Sequence, residues 1–219
     1  MKLQSVDISK TASASEIVFE ALRKAIIEGE LAEGEPLRQD EIARLFNTSR
    51  IPVREAISRL EEQGLVRAQR YKGAVVASLS ADEAAEIFDF RAMLEPVIIA
   101  RAVPKMSAAL LSEARTYCEA FAKAPEPMQW GELNRKFHAA LYSACALNYH
   151  LEVANNAMDR IDRYLRAQLV LSNGMPRAIS EHQGILEACE SGNAALASKL
   201  TEEHIRGARD ALIPFLINR

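Results

Sequence analysis

Four side chains in the second half of the chain have the chemistry of a metal centre. His138, His182 and His204 are three of its four histidines, and Asn134 precedes His138 by four residues. That spacing puts Asn134 and His138 on the same face of one helix. His182 lies ten residues before Gly192 and His204 twelve after it. If two helices fold back on each other at Gly192, a rise of ~1.5 Å per residue sets both histidines at similar heights. Three imidazole nitrogens meeting inside a helical bundle suit Zn²⁺ or a similar transition metal. The same spacing also fits three unrelated histidines, each satisfied by a hydrogen bond of its own. His150, beside Asn148 at a helix start, reads as structural. Glu181 immediately precedes His182, and as its neighbour it is expected to point elsewhere on the helix.

A second constellation lies in Ser49-Arg50-Ile51-Pro52-Val53-Arg54. Arg50 and Arg54 are four apart and share a helix face. Two guanidiniums on one exposed face can reach guanine O6 and N7 or neighbouring phosphates. Ser49 can donate to a phosphate at the helix N-terminus. Lys72 and Gly73 fall at a hairpin tip, where a residue without a side chain permits close approach to a nucleic-acid backbone. The net charge is −3, yet the span from Arg44 to Lys72 holds seven basic residues against three acids. Such a local excess can form a phosphate-facing surface. A solvated basic face, with Arg54 beside Glu55 and Arg59 near Glu62, is the alternative reading.

The elements that would position these groups follow from periodicity. A helix capped by Ser13 or Ser15 runs through Glu28 and stops at Gly29. A turn at Gly34-Glu35-Pro36 follows, then helices over 39–46 and 51–63, with Pro52 in the first turn of the latter. Leu65–Ala68 and Ala74–Ala77 read as strands of a hairpin. This order predicts a winged helix-turn-helix over residues 1–78. Ser80 with Glu83 has the form of a capping box and opens a second domain, residues 79–219. Only helical patterns follow, over 80–102, 107–123, 127–145, 148–171, 176–191 and 193–215. The fold class is therefore mostly α: a winged helix-turn-helix of three helices plus a β-hairpin, then an all-α antiparallel bundle able to enclose a ligand or metal. In the first bundle helix, Arg91 is flanked by Ile87, Phe90 and Leu94. It either faces a pocket and grips a carboxylate ligand, or pairs along the helix with Glu95 or Glu86. Arg163 and Arg166 are further pocket candidates.

Composition is that of an ordinary globular protein, with 49% hydrophobic and 26% charged residues. Cys118, Cys145 and Cys189 form no CxxC pair and read as core residues in a reducing compartment. No apolar run reaches the ~18 residues of a membrane span, and the first residues lack a signal-peptide stretch. A cytoplasmic protein without a membrane partner is expected.

The segment from Ala25 to Val76 resembles the GntR family of bacterial regulators. The resemblance rests on Gly34 with Leu37, Ile42-Ala43, Ser49-Arg50-x-Pro-Val-Arg54-Glu55-Ala56, Leu60, Gly64-Leu65-Val66 and Gly73. It implies operator contact by Arg50 and Arg54, with Ser49, Ile51 and Gly73 nearby. Asp40 stands where some members have a basic phosphate-binding residue, so that contact is expected to be absent. Residues 80–210 resemble the all-helical FCD domain. The matching pieces are Phe90-Arg91-x-x-Leu94-Glu95-Pro96, Asn134-x-x-Phe137-His138, Glu181-His182-x-x-Ile185-Leu186 and His204-Ile205. The metal-binding members hold a divalent metal with an Asp and three histidines beside an organic-acid pocket. Here the Asp position is Asn134, a neutral and weaker ligand. The resemblance thus implies a homodimeric regulator, repressing through double-stranded operator DNA. Its near-palindromic site would be released or bound according to a small carboxylate or sugar-acid effector, held by Arg91 beside a divalent metal, Zn first, with Ni or Mn as alternatives. A repressor sensing the metal alone and a Zn-dependent hydrolase are the competing readings.

Overall fold

The structure is a computed structural model that describes residues 13–70, 73–172 and 174–217. It divides after Ser78 into two compact units.

The first unit opens with α1 (Ala14–Glu28). The Ser13 side chain accepts from the Glu16 amide, and Gly29, at φ 77°, ends the helix in the left-handed region that glycine enters without strain. Helices α2 (Gln39–Leu45) and α3 (Arg50–Glu62) are joined by a turn in which Asn47 has φ 48°. The Gly64 amide bonds to the Glu61 carbonyl and that of Leu65 to the Leu60 carbonyl, closing α3. Leu65 therefore belongs to the helix end, and the strands β1 (Val66–Gln69) and β2 (Gly73–Val76) are shifted by one residue from the expected spans. They pair antiparallel from Val66↔Val76 to Gln69↔Gly73. The segment read as a plain turn does more than turn: Pro36 bridges to Val75, and the amides of Gly34 and Leu37 donate to the carbonyls of Val76 and Ala74. Phe19, Leu22, Ile26, Val53, Leu60 and Val76 are buried in one core. Arg59 binds α3 to α1, lying 3.9 Å over the Phe19 ring and 2.6 Å from Glu16 Oε2.

Among its described residues the second unit is helical. Its elements are α4 (Ala81–Ala102), α5 (Ala108–Lys123), α6 (Pro127–Tyr142), α7 (Asn148–Ser172), α8 (Met175–Glu190) and α9 (Ala194–Ile217). Ser80 caps α4 by accepting from the Glu83 amide, as its capping-box spacing predicts. Gly192, at φ 71°, turns α8 back into α9. Helix α4 lies along α9, α5 along α6 and α8, and α8 along α9. Two apolar clusters result, one around Ile98, Phe137, Leu141 and Ile185, the other around Phe88, Ile161 and Leu212. Among the described residues no helix is long and apolar enough to cross a membrane.

Candidate functional site

Helices α6, α8 and α9 each bring one histidine to a common point. The ring centroids of His138 and His182 are 5.3 Å apart, those of His138 and His204 5.3 Å, and those of His182 and His204 4.9 Å. One nitrogen from each ring lies within 4.8 Å of the others. Phe121 and Phe137 pack on the His182 ring at 4.8 and 4.6 Å. His182 is fully buried, and both nitrogens of His138 and of His182 are buried without a hydrogen-bond partner. Burial pushes the pKa of each well below 6.5; the neighbouring His182, His204 and Arg91 depress His138 further, and His204 depresses His182. Both rings are therefore neutral at physiological pH, the state that ligates a metal.

The third histidine is held differently. His204 Nδ1 lies 2.8 Å from Glu181 Oε2, which fixes the ring and leaves Nε2 as its remaining ligand atom. A carboxylate on the outer nitrogen of a metal-ligating histidine raises its basicity and sets its orientation. Glu181 does point away from His182, but not away from the cluster, because the α8–α9 hairpin carries His204 back to it. Arg177 Nε lies 3.4 Å from the other Glu181 oxygen.

The donor set fits a divalent metal. Zn–N bonds of about 2.0–2.1 Å require nitrogens about 3.3 Å apart in a tetrahedral site, so the rings need draw in by only about 1.5 Å. Without an ion, four buried ring nitrogens are left without partners, and such groups are costly.

Beside the triad lies a partly open cavity. His204 and Asn134 line it, as do the cations Arg91 and Arg177 and the carboxylates Asp162 and Glu181. Arg91 both lines the cavity and pairs along its own helix. Its Nε is 2.5 Å from Glu95 Oε1, and Tyr142 Oη donates to Glu95 Oε2 at 2.8 Å. Glu95 is completely buried, and its negative charge raises the Arg91 pKa against the opposing effect of burial. The pair thus places a permanently charged guanidinium in the wall of the cavity.

The first unit presents a separate surface. Ser49, Arg50, Ile51 and Arg54 are all exposed at the start of α3, and Gly73 is exposed at the hairpin with φ 74°. Ser49 occupies the N-cap, yet its side chain makes no capping hydrogen bond. Ser13, Ser80 and Ser107 all do so in their helices. No acid lies in the first turn of α3, and Arg50 stands at its first position. A helix start with a cation, no acid and an uncommitted hydroxyl is arranged to receive an anion from outside.

Residues 14–76 match the family model for bacterial regulatory proteins of the gntR family, and residues 86–207, more than half of the chain, match that of the FCD domain. The chain belongs to the GntR family and carries an FCD domain. It is 28% identical over 198 residues to the HTH-type transcriptional repressor GlaR of Escherichia coli (strain K12), a match covering 84% of this chain and 89% of that protein. A GntR-family transcriptional regulator from Pseudomonas syringae pv. tomato shares 30% identity, with 94% of this chain and 86% of that one covered and a TM-score of 0.56. The E. coli McbR/YncC structure, 21% identical, has the same fold with a TM-score of 0.81 over 95% of this chain and 99% of that one.

As a GntR-family member the protein is a DNA-binding transcriptional regulator and not an enzyme, which removes the hydrolase reading. Glu181 agrees with this, since it is engaged by His204. Among the residues expected to act, Lys72 lies outside the described residues, as do the side chains of Arg163 and Arg166. Sequence reasoning passed over Asp162 and Arg177. Asp162 left a signal, for it interrupts the inward row of Met158, Ile161 and Tyr164 on α7 and is itself buried.

Proposed function

We propose that this regulator is a metal-containing, effector-responsive repressor that binds a near-palindromic operator as a homodimer. Helix α3 enters the major groove. Arg50 and Arg54 reach base edges or phosphates, Ile51 offers an apolar contact to a thymine methyl, and Ser49 donates to a phosphate. Gly73, with Lys72 beside it in sequence, approaches the adjacent backbone. Exposed Phe90, Met93 and Val97, spaced three and four apart on α4, support self-association of the second unit.

The observation that carries the sensing half is the set of unpartnered nitrogens on His138 and His182, beside a cavity walled by Arg91. His138, His182 and His204 hold a divalent metal, Zn before Ni or Mn, and Asn134 adds at most a neutral oxygen. A bound metal supplies positive charge and an open coordination position for an anionic oxygen. Arg91, paired with Glu95 through Nε and Nη2, keeps Nη1 as a donor toward the cavity wall, and beside the metal this suits a small carboxylate or sugar acid. The cavity beside the triad is lined by the donor-bearing side chains of Arg91, Arg177 and Asn134, a lining that favours an organic effector over the metal as sole signal. Effector binding need shift the two head arrangements by only about 1–3 kcal/mol to alter operator affinity.

The test is binding of the purified protein to its own upstream DNA at fixed salt, with and without a panel of small carboxylates and sugar acids, alongside metal analysis. Arg50→Ala/Arg54→Ala should lose about 1–3 kcal/mol of binding for each arginine that reads a base edge. Operator binding insensitive to every acid but altered by adding or chelating the metal would put the metal-only reading in its place.

A further inference from the structure

The first turn of α2 meets the first turn of α3 through an ion pair between Arg50 Nε and Asp40 Oδ1. Both side chains are more than half exposed, so the pair lies on the surface from which Arg50 projects. Around it, Arg44 Nε donates to the Asp40 carbonyl at 3.3 Å and Arg38 Nη1 pairs with Glu41 Oε1 at 3.1 Å. Asp40 is thus an acid placed among the cations of the basic segment.

Which nitrogen is used matters. A guanidinium presents its donors in a rigid planar fork. The closest contact to Asp40 is made at Nε, on the edge nearest the chain, which leaves Nη1 and Nη2 for a further partner. Those two nitrogens match O6 and N7 of a guanine. Asp40 therefore biases Arg50 from behind toward rotamers that would otherwise be selected only on binding. The same carboxylate repels phosphates. For Arg50 to swing onto the DNA backbone, it must leave its partner while a negative charge is brought against the strand.

We propose that Asp40 is a specificity-determining positioning residue. It orients Arg50 toward a guanine edge and penalises the phosphate contacts that support sequence-independent binding. This rests on the reading of α3 as the DNA-reading helix, so the test includes a variant that examines that reading by itself.

Fluorescence anisotropy of the full chain would be run on the operator, on operators changed one base pair at a time, and on a scrambled duplex, each at several salt concentrations. The proteins are wild type, Asp40→Ala, Asp40→Asn and Arg50→Ala, and thermal unfolding confirms that each is folded. The base pair read by Arg50 is the one whose preference disappears in Arg50→Ala. Asp40→Ala should bind the scrambled duplex several-fold more tightly, with a salt slope steeper by about 0.9 for each further phosphate that the variant neutralises. It should discriminate about tenfold less at the Arg50 base pair. Asp40→Asn, which retains an acceptor for Nε–H, should keep most of that discrimination while sharing the stronger scrambled binding. Equally tighter binding of Asp40→Ala to every duplex, with base preference intact, overturns the proposal and reduces Asp40 to a diffuse negative charge. Full discrimination by Arg50→Ala overturns the α3 reading, and this proposal with it.

Discussion

Replacing His182 by Leu should change protein stability in opposite directions with and without metal. His182 is completely buried between Phe121 and Phe137, and neither ring nitrogen has a partner. In the metal-free protein each unsatisfied buried polar group costs about 1–3 kcal/mol. A leucine of comparable volume removes that cost, and imperfect fit returns less than about 1.5 kcal/mol. The metal-free variant should therefore be as stable as wild type, or up to about 2 kcal/mol more stable. With metal at a hundred times its dissociation constant, wild type gains about 2.7 kcal/mol and the variant almost none. The second unit, residues 79–219, has an unfolding entropy of about 0.3 kcal/mol/K, scaled from about 2.1 cal/mol/K per residue. The metal increment thus corresponds to about 9 °C in Tm. Differential scanning calorimetry of chelated and metal-loaded samples of both proteins reads all four values. If His182→Leu destabilises the chelated protein by as much as the loaded one, the ring is an ordinary core side chain and the metal argument fails.

Other consequences are equally accessible. Glu95→Ala leaves the Arg91 guanidinium buried without its carboxylate and should cost about 3–5 kcal/mol, whereas Arg91→Leu/Glu95→Leu should recover most of the loss; urea titration of the two variants decides this, and a cost below 1 kcal/mol for Glu95→Ala would contradict the buried pair. The pKa values of His138 and His182 are depressed by burial, so below about pH 6.5 the unfolded chain takes up protons that the folded chain refuses. Metal-free stability should be full above that pH and fall by up to about 1.4 kcal/mol per histidine for each unit below it; denaturant midpoints from pH 7.5 to 5 that stay level in chelated protein would refute the assignment. Glu181→Gln keeps a hydrogen-bond partner for His204 Nδ1 but removes the charge behind it, and should weaken metal binding about 10–100-fold by competition titration against a chromophoric chelator.

What the sequence made legible, and what it hid, divide along the range of the interactions. The caps at Ser13 and Ser80, the stops at Gly29 and Gly192 and the six bundle helices depend on neighbours within a few residues, and they stand within one to three residues of expectation. The height match of His182 and His204 was readable because one glycine turn sets the register of two helices. Contacts between segments distant in sequence left no such trace. The bridge from Pro36 to Val75, the Arg59–Glu16 pair across 43 residues and the placing of Asp162 in the cavity wall are properties of packing. Glu181 shows why the two kinds of contact differ. From helical periodicity it points away from His182, which is correct, and this suggested that it had no part in the site. Its partner is instead His204, 23 residues on and one helix away. A carboxylate that is remote from the site on its own helix becomes adjacent once the hairpin closes. The outer nitrogen of His204 is thereby fixed by α8 itself, and the hairpin that sets the register of His182 and His204 also sets the orientation of the His204 ring.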